Sequence, residues 1–200
     1  HRVNAPRRPL GRTEFVRMAL DPAPLAPILR AGRIDTVIDT ALVSQIQAGW
    51  VRPGAVSGTP RILAALQAPD CPVRKLVFAS SAHCYGFGSA PAFFGEDMPC
   101  PAPAERGLQR RVLEAENQVR RLASSDSNRV LTILRLAEDI GPESRGPHVA
   151  LLGLPAIPSI LGFDPRWQLV EQHDVVGALV HAAINDLPGT YNVAADGVLS

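Results

Sequence analysis

Two short apolar runs constrain the fold of this 200-residue chain more than any other feature. Residues 76–79 read Leu-Val-Phe-Ala, and residues 130–134 read Val-Leu-Thr-Ile-Leu. Strands of a parallel sheet are nearly continuous in apolar residues because helices cover both of their faces. Such runs alternate here with longer segments of helical period, which is typical of strand-helix-strand units. The sequence therefore predicts an α/β fold with a doubly wound parallel sheet.

The same patterns predict the individual elements. Strands are expected at residues 15–20, 36–38, 75–79, 130–136 and 191–193, with a weaker one at 168–171. Helices are expected at residues 22–31, from near Thr59 to 67, at 104–123, and from 173 to 183. Pro60 suits the first turn of its helix, where a missing N–H does no harm. Residues 141–165 are rich in Gly and Pro and predict a loop-dominated cap on a single domain of residues 1–200.

Composition limits the partners. The 20 basic and 19 acidic residues leave a formal net charge of +1, which does not favour nucleic acid or a charged membrane surface. No apolar run approaches the roughly 20 residues that span a bilayer. Cys71, Cys84 and Cys100 fit neither a zinc site nor a disulfide scaffold, so no metal is expected and the cytoplasm is the expected location. A small-molecule partner is favoured. The chain begins with His1, and we expect a fragment.

The most informative motif follows the first apolar run. Residues 74–86 read Arg-Lys-Leu-Val-Phe-Ala-Ser-Ser-Ala-His-Cys-Tyr-Gly. Ligands of open parallel sheets bind outside the carboxyl ends of the strands, where these hydroxyls lie. The motif resembles the Ser-Ser-x-x-x-Tyr-Gly strand of extended short-chain dehydrogenases/reductases, the NAD(P)-dependent epimerase/dehydratase family. The resemblance implies a Rossmann-like fold, and it makes Ser81 the hydrogen-bond donor to the reacting substrate oxygen. Alternatively, Ser80 and Ser81 only cap the following turn.

Two neighbouring passages resemble the strands on one side of that motif. Residues 15–21 are similar to the family's third strand, which implies that Asp21 contacts the adenine of the cofactor. Asp21 is alternatively the N-cap of the next helix. Residues 35–41 are similar to the fourth strand, which implies that Thr40 and Ala41 line the cofactor. Asp39 stands where histidine is usual.

Further matches follow in family order. Residues 134–142 resemble Leu-Arg-x-x-Asn-x-x-Gly-Pro, which implies that Ala137 lies at the cofactor and that position 138 faces the substrate. Glu138 replaces the usual asparagine there. Residues 168–175 and 189–194 also resemble family segments, and a structural role is expected for both.

Two family features are not found. No glycine-rich phosphate-binding turn occurs, and it is expected before His1 together with the first strand. Residues 2–9 carry three arginines that would suit the extra phosphate of NADP, or would form a solvated basic loop. The Tyr-x-x-x-Lys pair is also missing. Leu108 and Arg110 stand closest to its place, and Arg110 or Arg111 would supply positive charge. Tyr85 is expected to pack at the loop base rather than to replace the missing acid.

The resemblance implies an NAD- or NADP-dependent epimerase, dehydratase or reductase of a nucleotide sugar or a similar small molecule, impaired in this chain. It also implies a homodimer formed through the helix at 104–123. The isolated chain is expected to bind dinucleotide weakly. The alternative is a non-catalytic cofactor-sensing or interaction module, or the product of a decayed gene. A Ser-His-Asp hydrolase using His148, His173 or His181 is disfavoured, because no glycine-flanked nucleophile elbow is present.

Overall fold

A computed structural model describes residues 13–16, 22–47, 58–86, 94–100, 107–142, 144, 147–156 and 166–199. Its elements, in chain order, are α1 (Pro22–Ala31), β1 (Thr36–Asp39), α2 (Ala41–Gln47), α3 (Thr59–Leu66), β2 (Lys75–Ser81), a 3₁₀ turn (Ala82–Tyr85), α4 (Leu108–Ser124), β3 (Val130–Leu136), β4 (Glu138–Ile140), α5 (Pro147–Leu152), β5 (Leu169–Glu171), α6 (Gln172–Ile184) and β6 (Gly189–Val193). None of these helices is both long and apolar enough to cross a bilayer.

Four strands form one sheet in the order β1-β2-β3-β6, and each neighbouring pair is parallel. Asp39 pairs with Phe78, and Ser81 pairs with Leu136. All four carboxyl ends therefore lie along one edge. The predicted α/β fold with a parallel sheet is confirmed. β4 and β5 pair with each other in a separate two-stranded parallel sheet, so the weak strand predicted at 168–171 forms but does not join the main sheet.

β2 is buried along its whole length because both of its faces carry helices. Leu76 and Phe78 point into a cluster built with α1, α2, α3 and α4, whereas Val77 and Ala79 point into a second cluster with α6. This alternation explains the continuous apolar run in the sequence.

A buried lysine anchors the amino end of β2. The Lys75 Nζ donates to the carbonyl oxygens of Ala183 and Asn185, at 3.1 and 2.9 Å, and lies 2.6 Å from Asp186 Oδ1. These acceptors end or follow α6, where helix carbonyls lack partners of their own and a cation is favourable. Lys75 thereby holds the end of α6 against the sheet edge opposite the motif serines.

Several predicted boundaries need correction. β2 runs through Ser81, two residues beyond the predicted end at Ala79, so the serine pair forms the end of the strand. The helix predicted at 104–123 begins at Leu108 after Gly107, and residues 104–106 lie outside the described residues. Phe15 and Val16 belong to no strand and are 43% and 50% exposed. The rest of that predicted strand and Asp21 lie outside the described residues. The cap segment contains the unpredicted helix α5, which is too short to show a period.

Candidate functional site

An open cleft of about 600 Å³ lies at the carboxyl edge of the sheet, where β3 and β6 end beside β5. This volume is within the range of small-molecule sites. Its walls come from the 3₁₀ turn, the start of β4, α5 and the ends of the strands, and they include His83, Tyr85, Ala137, Glu138, His148, Arg166, Trp167 and Asn192. Parallel sheets bind their ligands at this edge.

A chain of polar side chains runs into the cleft from the tip of β2. The Ser81 Oγ lies 2.8 Å from His83 Nδ1 and also accepts the backbone N–H of His83 at 3.3 Å. His83 Nε2 lies 3.2 Å from Glu138 Oε1, and the other Glu138 oxygen lies 3.1 Å from His148 Nδ1. Ser81 therefore does cap the following turn, and it is at the same time the first member of a hydroxyl–imidazole–carboxylate chain.

The surroundings of His83 keep its imidazole neutral. Burial lowers the pKa of His83, the Glu138 carboxylate opposes that effect, and His148 adds to it, so the pKa lies below its ordinary value. A neutral imidazole has one N–H and one acceptor nitrogen. Because a carboxylate faces Nε2, we assign the proton to Nε2, and Nδ1 is then the acceptor for the Ser81 hydroxyl.

A second network lies deeper, under the cleft. Glu116 of α4 accepts the Ser80 hydroxyl at 2.7 Å and two hydrogen bonds from Arg135 of β3, at 3.0 and 2.9 Å. Burial by itself would raise the pKa of Glu116, but the bonds from Arg135 and Ser80, together with the charge of Arg120, hold it below its ordinary value. A carboxylate and a guanidinium buried together are stable only when their hydrogen bonds are satisfied in this way.

Tyr85 belongs to that deeper network. Its hydroxyl donates to Asn192 Oδ1 at 2.8 Å and accepts from Arg135 Nη1 at 3.0 Å, and its ring stacks on Phe94 with 4.8 Å between the centroids. Burial raises the pKa of Tyr85, while the hydrogen bonds with Arg135 and Asn192 partly oppose the rise. The phenol thus stays protonated and engaged within the fold.

The chain matches the NAD dependent epimerase/dehydratase family model over residues 2–194. It belongs to that family. It is 35% identical over 198 residues to the protein Rv0501 of Mycobacterium tuberculosis, an alignment that covers 96% of this chain and 52% of the relative. The chain thus spans about half the length of the curated relatives it matches.

Solved structures share the fold. The Thermus thermophilus UDP-glucose 4-epimerase in complex with NAD superposes with a TM-score of 0.72 at 22% identity, over 96% of this chain and 66% of that one. MoeE5 in complex with UDP-glucose and NAD superposes with a TM-score of 0.69 at 24% identity, over 97% and 68%. At these identities the likeness concerns the arrangement of helices and strands.

The residues that the family resemblance assigns to the cofactor lie at adjoining strand tips. Thr40 and Ala41 follow β1, and Ala137 follows β3, so they flank the tip of β2. Of these three residues, Ala137 is among the described residues that line the cleft. Asp39 is turned inward instead, since it is 1% exposed and its Oδ1 accepts the Ala41 N–H at 2.9 Å to begin α2.

The structure separates the other assigned residues. Ala137 and Glu138 line the cleft, whereas Ser81 is 6% exposed and adjoins the cleft wall through its contact with His83. Arg110 is exposed on α4, where its Nε lies 2.7 Å from Glu114 Oε1, and it is not among the described residues that line the cleft. Arg111 reaches Gln45 of α2 at 3.4 Å.

Sequence reasoning did not find His83 as a site residue, and it named His148 only within the disfavoured hydrolase. His83 occupies a variable position of the motif. It lies in the 3₁₀ turn, where it faces the cleft while the adjacent Cys84 is buried in the core. Ser81, two residues before His83, was the available signal. A serine that caps a turn bonds to the backbone two residues later, which brings that residue back towards the serine hydroxyl.

Proposed function

We propose that the full-length protein catalyses NAD(P)-dependent hydride transfer at a hydroxyl-bearing carbon of a nucleotide sugar or a related small molecule, as an epimerase, dehydratase or reductase. The observation that carries this proposal is the Ser81–His83–Glu138 chain, which opens into a substrate-sized cleft at the carboxyl edge of a family-typical sheet. Hydride transfer from an alcohol needs a group that takes the hydroxyl proton, and this chain of side chains contains one.

Each assigned residue has a place in this proposal. Ser81 would hydrogen-bond the reacting oxygen, and Glu138 would hold the substrate from the cleft wall. Thr40, Ala41 and Ala137 would line the nicotinamide end of the cofactor. When bound, NAD or NADP would take up and return the hydride. Asp21, which lies outside the described residues, keeps its proposed contact with the adenine on the resemblance alone.

Two further cleft residues favour a nucleotide sugar as the substrate class. Arg166 and Trp167 are consecutive residues of the cleft wall. A guanidinium matches phosphate oxygens, and an indole provides a flat face for a base. A nucleotide diphosphate carries both groups. We also propose that residues 141–165 cap the bound substrate, since α5 brings His148 to the cleft, and that two copies associate through α4.

Hydride transfer by the full-length protein tests the proposal directly. Conversion of a panel of nucleotide sugars is followed by chromatography or NMR, because an epimerase or dehydratase returns the hydride and leaves no net NADH or NADPH. Ser81→Ala is expected to lower kcat by roughly 100-fold or more through loss of a hydrogen bond at the reacting oxygen. The matched control is Ser124→Ala, since Ser124 is exposed at the end of α4.

Calorimetry separates the proposal from its alternative. The full-length protein is expected to bind NAD or NADP, whereas residues 1–200, which hold no glycine-rich turn, are expected to bind it weakly. Absence of both turnover and dinucleotide binding in the full-length protein would favour a non-catalytic interaction module. Micromolar binding by residues 1–200 would show that the phosphate cradle is misplaced in the proposal.

A further inference from the structure

We propose that His83 is the acid/base residue of this site: it takes the proton of the substrate hydroxyl through Ser81 and returns it in the reverse step. This inference rests on the proposed function and specifies its proton carrier. The family normally uses a Tyr-x-x-x-Lys pair for proton transfer, and this sequence contains none. The proposal gives that role to a residue of the 3₁₀ turn after β2.

The geometry of the imidazole supports this role. Its Nδ1 lies 2.8 Å from the Ser81 hydroxyl, its Nε2 lies 3.2 Å from a Glu138 oxygen, and the ring forms part of the cleft wall. The order hydroxyl, imidazole, carboxylate lets a serine pass a proton to the ring while the carboxylate stabilises the imidazolium that forms. Three separate elements, β2, the 3₁₀ turn and β4, supply the three groups, so the register of the sheet maintains the order.

The charges that face His83 suit a proton acceptor. Glu138 of β4 and His148 of α5 are the titratable groups nearest the ring, and they act on it in opposite directions. Arg135 also borders the cleft, but its guanidinium is bound by Glu116. The remaining described charges of the wall are Glu96, Arg166 and Asp196. The imidazole therefore starts neutral and has a carboxylate ready to balance its charge.

The other groups considered for this task are engaged elsewhere. The Tyr85 hydroxyl is bonded to Arg135 and Asn192, and Arg110 is paired with Glu114 on the exposed face of α4. Among the described residues of the cleft wall, His83 is the titratable side chain that contacts Ser81.

The proton and electron balance is complete. In the oxidative direction the substrate C–H bond would break and a carbonyl would form, and the nicotinamide dinucleotide, when bound, would accept the hydride. The hydroxyl proton passes to Ser81 Oγ as the Ser81 proton passes to His83 Nδ1, which leaves an imidazolium beside Glu138. The reductive direction reverses each transfer and regenerates the alcohol, the serine and the neutral imidazole.

The backbone argues against a nucleophilic serine in the same arrangement. Ser81 has φ −133° and ψ 145°, an ordinary extended conformation at the end of a strand. Hydrolase nucleophiles sit on a strained strand-to-helix elbow that exposes their hydroxyl. Ser81 is not on such an elbow, and its hydroxyl lies 2.8 Å from His83 Nδ1, so it is placed to relay a proton to the adjacent ring.

An NMR titration of the full-length protein tests His83 without any turnover. The imidazole ¹⁵N signals of His83, assigned by loss in His83→Gln, are expected to show the Nε2–H tautomer and a pKa below the ordinary histidine value. Glu138→Gln is expected to lower the His83 pKa further, because the carboxylate raises it, and His148→Gln is expected to raise it. An Nδ1–H tautomer, or a pKa that ignores both substitutions, would overturn the proposal.

Kinetics supply the second test, on the substrate that the nucleotide-sugar panel identifies. His83→Gln is expected to lower kcat by about 100- to 10,000-fold, to remove the His83 limb of the pH profile, and to leave substrate affinity by calorimetry unchanged. His173→Gln, on the exposed face of α6, is the matched control and is expected to behave as wild type. An unchanged kcat and pH profile in His83→Gln would overturn the His83 role, whereas an inactive wild type would overturn the proposed function and leave the NMR result standing.

Discussion

Arg135 and Glu138 are three residues apart in the chain, yet they serve different purposes because they differ in exposure. The Arg135 guanidinium lies in the core, where it binds Glu116. Only 7% of the Arg135 side chain and 3% of the Glu116 side chain are exposed. Glu138 meets two imidazoles in the open cleft, and 31% of its side chain is exposed. A buried pair with satisfied hydrogen bonds holds the structure together, whereas a carboxylate in the cleft wall is accessible to a bound ligand.

Arg135→Met should therefore destabilise the fold. Removing the guanidinium leaves the Glu116 carboxylate buried without its main partner, which costs about 3–5 kcal/mol in comparable pairs. Arg110→Met, which breaks the exposed Arg110–Glu114 pair, is the matched control and should cost roughly 0–1 kcal/mol. Urea unfolding of both variants measures the difference. Equal losses would show that the buried pair has no special role.

Asp39 predicts a dependence of stability on pH. Burial raises the pKa of Asp39, although hydrogen bonds from Ala41 and Thr59 partly oppose the rise. The folded state therefore holds this proton more tightly than the unfolded state, and the stability that this group contributes is lost as pH rises from the ordinary aspartate range through the raised pKa.

Asp39→Asn should remove that loss, because the amide stays neutral while its oxygen still accepts the Ala41 N–H. The free energy of unfolding of Asp39→Asn relative to wild type should increase as pH rises, and then level off above the raised pKa. Denaturant unfolding from acid to neutral pH measures it. A difference that does not vary with pH would contradict the inward, protonated placement of Asp39.

At the scale of elements, the local sequence predicts the bounds of a helix or strand where the segment is long or is flanked by residues that start or stop such elements. The helix at Pro22–Ala31 and the strand at Val130–Leu136 were predicted with the bounds they have, and α3 begins at the predicted Thr59 with Pro60 in its first turn. The missed elements α2, β4 and α5 have three to seven residues. Such segments are too short for a period, and their neighbours in the fold decide their conformation.

Gly86 ends the 3₁₀ turn and should be sensitive to substitution. Its φ is +78°, and a Cβ there would lie 2.9 Å from Gln109 Nε2, which itself donates to the Cys84 carbonyl. Gly86→Ala is expected to lose about 1–3 kcal/mol of stability from backbone strain. Gly177→Ala on the open face of α6, where a Cβ would meet nothing, should gain about 0.5–1 kcal/mol. Thermal unfolding should show a lower Tm for Gly86→Ala and a higher Tm for Gly177→Ala. A change of Tm in the same direction in both variants would contradict this account of the turn.

At the scale of the whole molecule, the four-stranded main sheet and the two-stranded β4–β5 sheet meet at the cleft. The main sheet has helices on both faces, whereas β4 and β5 form a ladder of three residue pairs beside the cleft. We expect a substrate to enter between the helix-covered main sheet and the short β4–β5 ladder. Binding loops are commonly drawn from the less stable regions of a fold.

Hydrogen exchange should reveal this difference. Amides of β2 and β3 are expected to exchange most slowly, through global unfolding, and those of β4 and β5 at least about 10-fold faster through local opening. Exchange followed by NMR or mass spectrometry measures both. Slower exchange in β4 and β5 than in β2 would show that the cleft is as rigid as the core.

Sequence alone determined the class of fold, the family and the two buried central strands, because burial on both faces leaves continuous apolar segments and the motif Ser80-Ser81 with Tyr85-Gly86 is local in the chain. Only the tertiary structure decided the partners of those residues. Asp39 stands at the position where the family usually has histidine, and its side chain turns inward. His83 was not predicted as a site residue, yet it meets Glu138, 55 positions away. The reason is physical: strand periodicity reports burial within a segment, whereas proton chemistry depends on distances between segments, which the pairing register of the sheet sets.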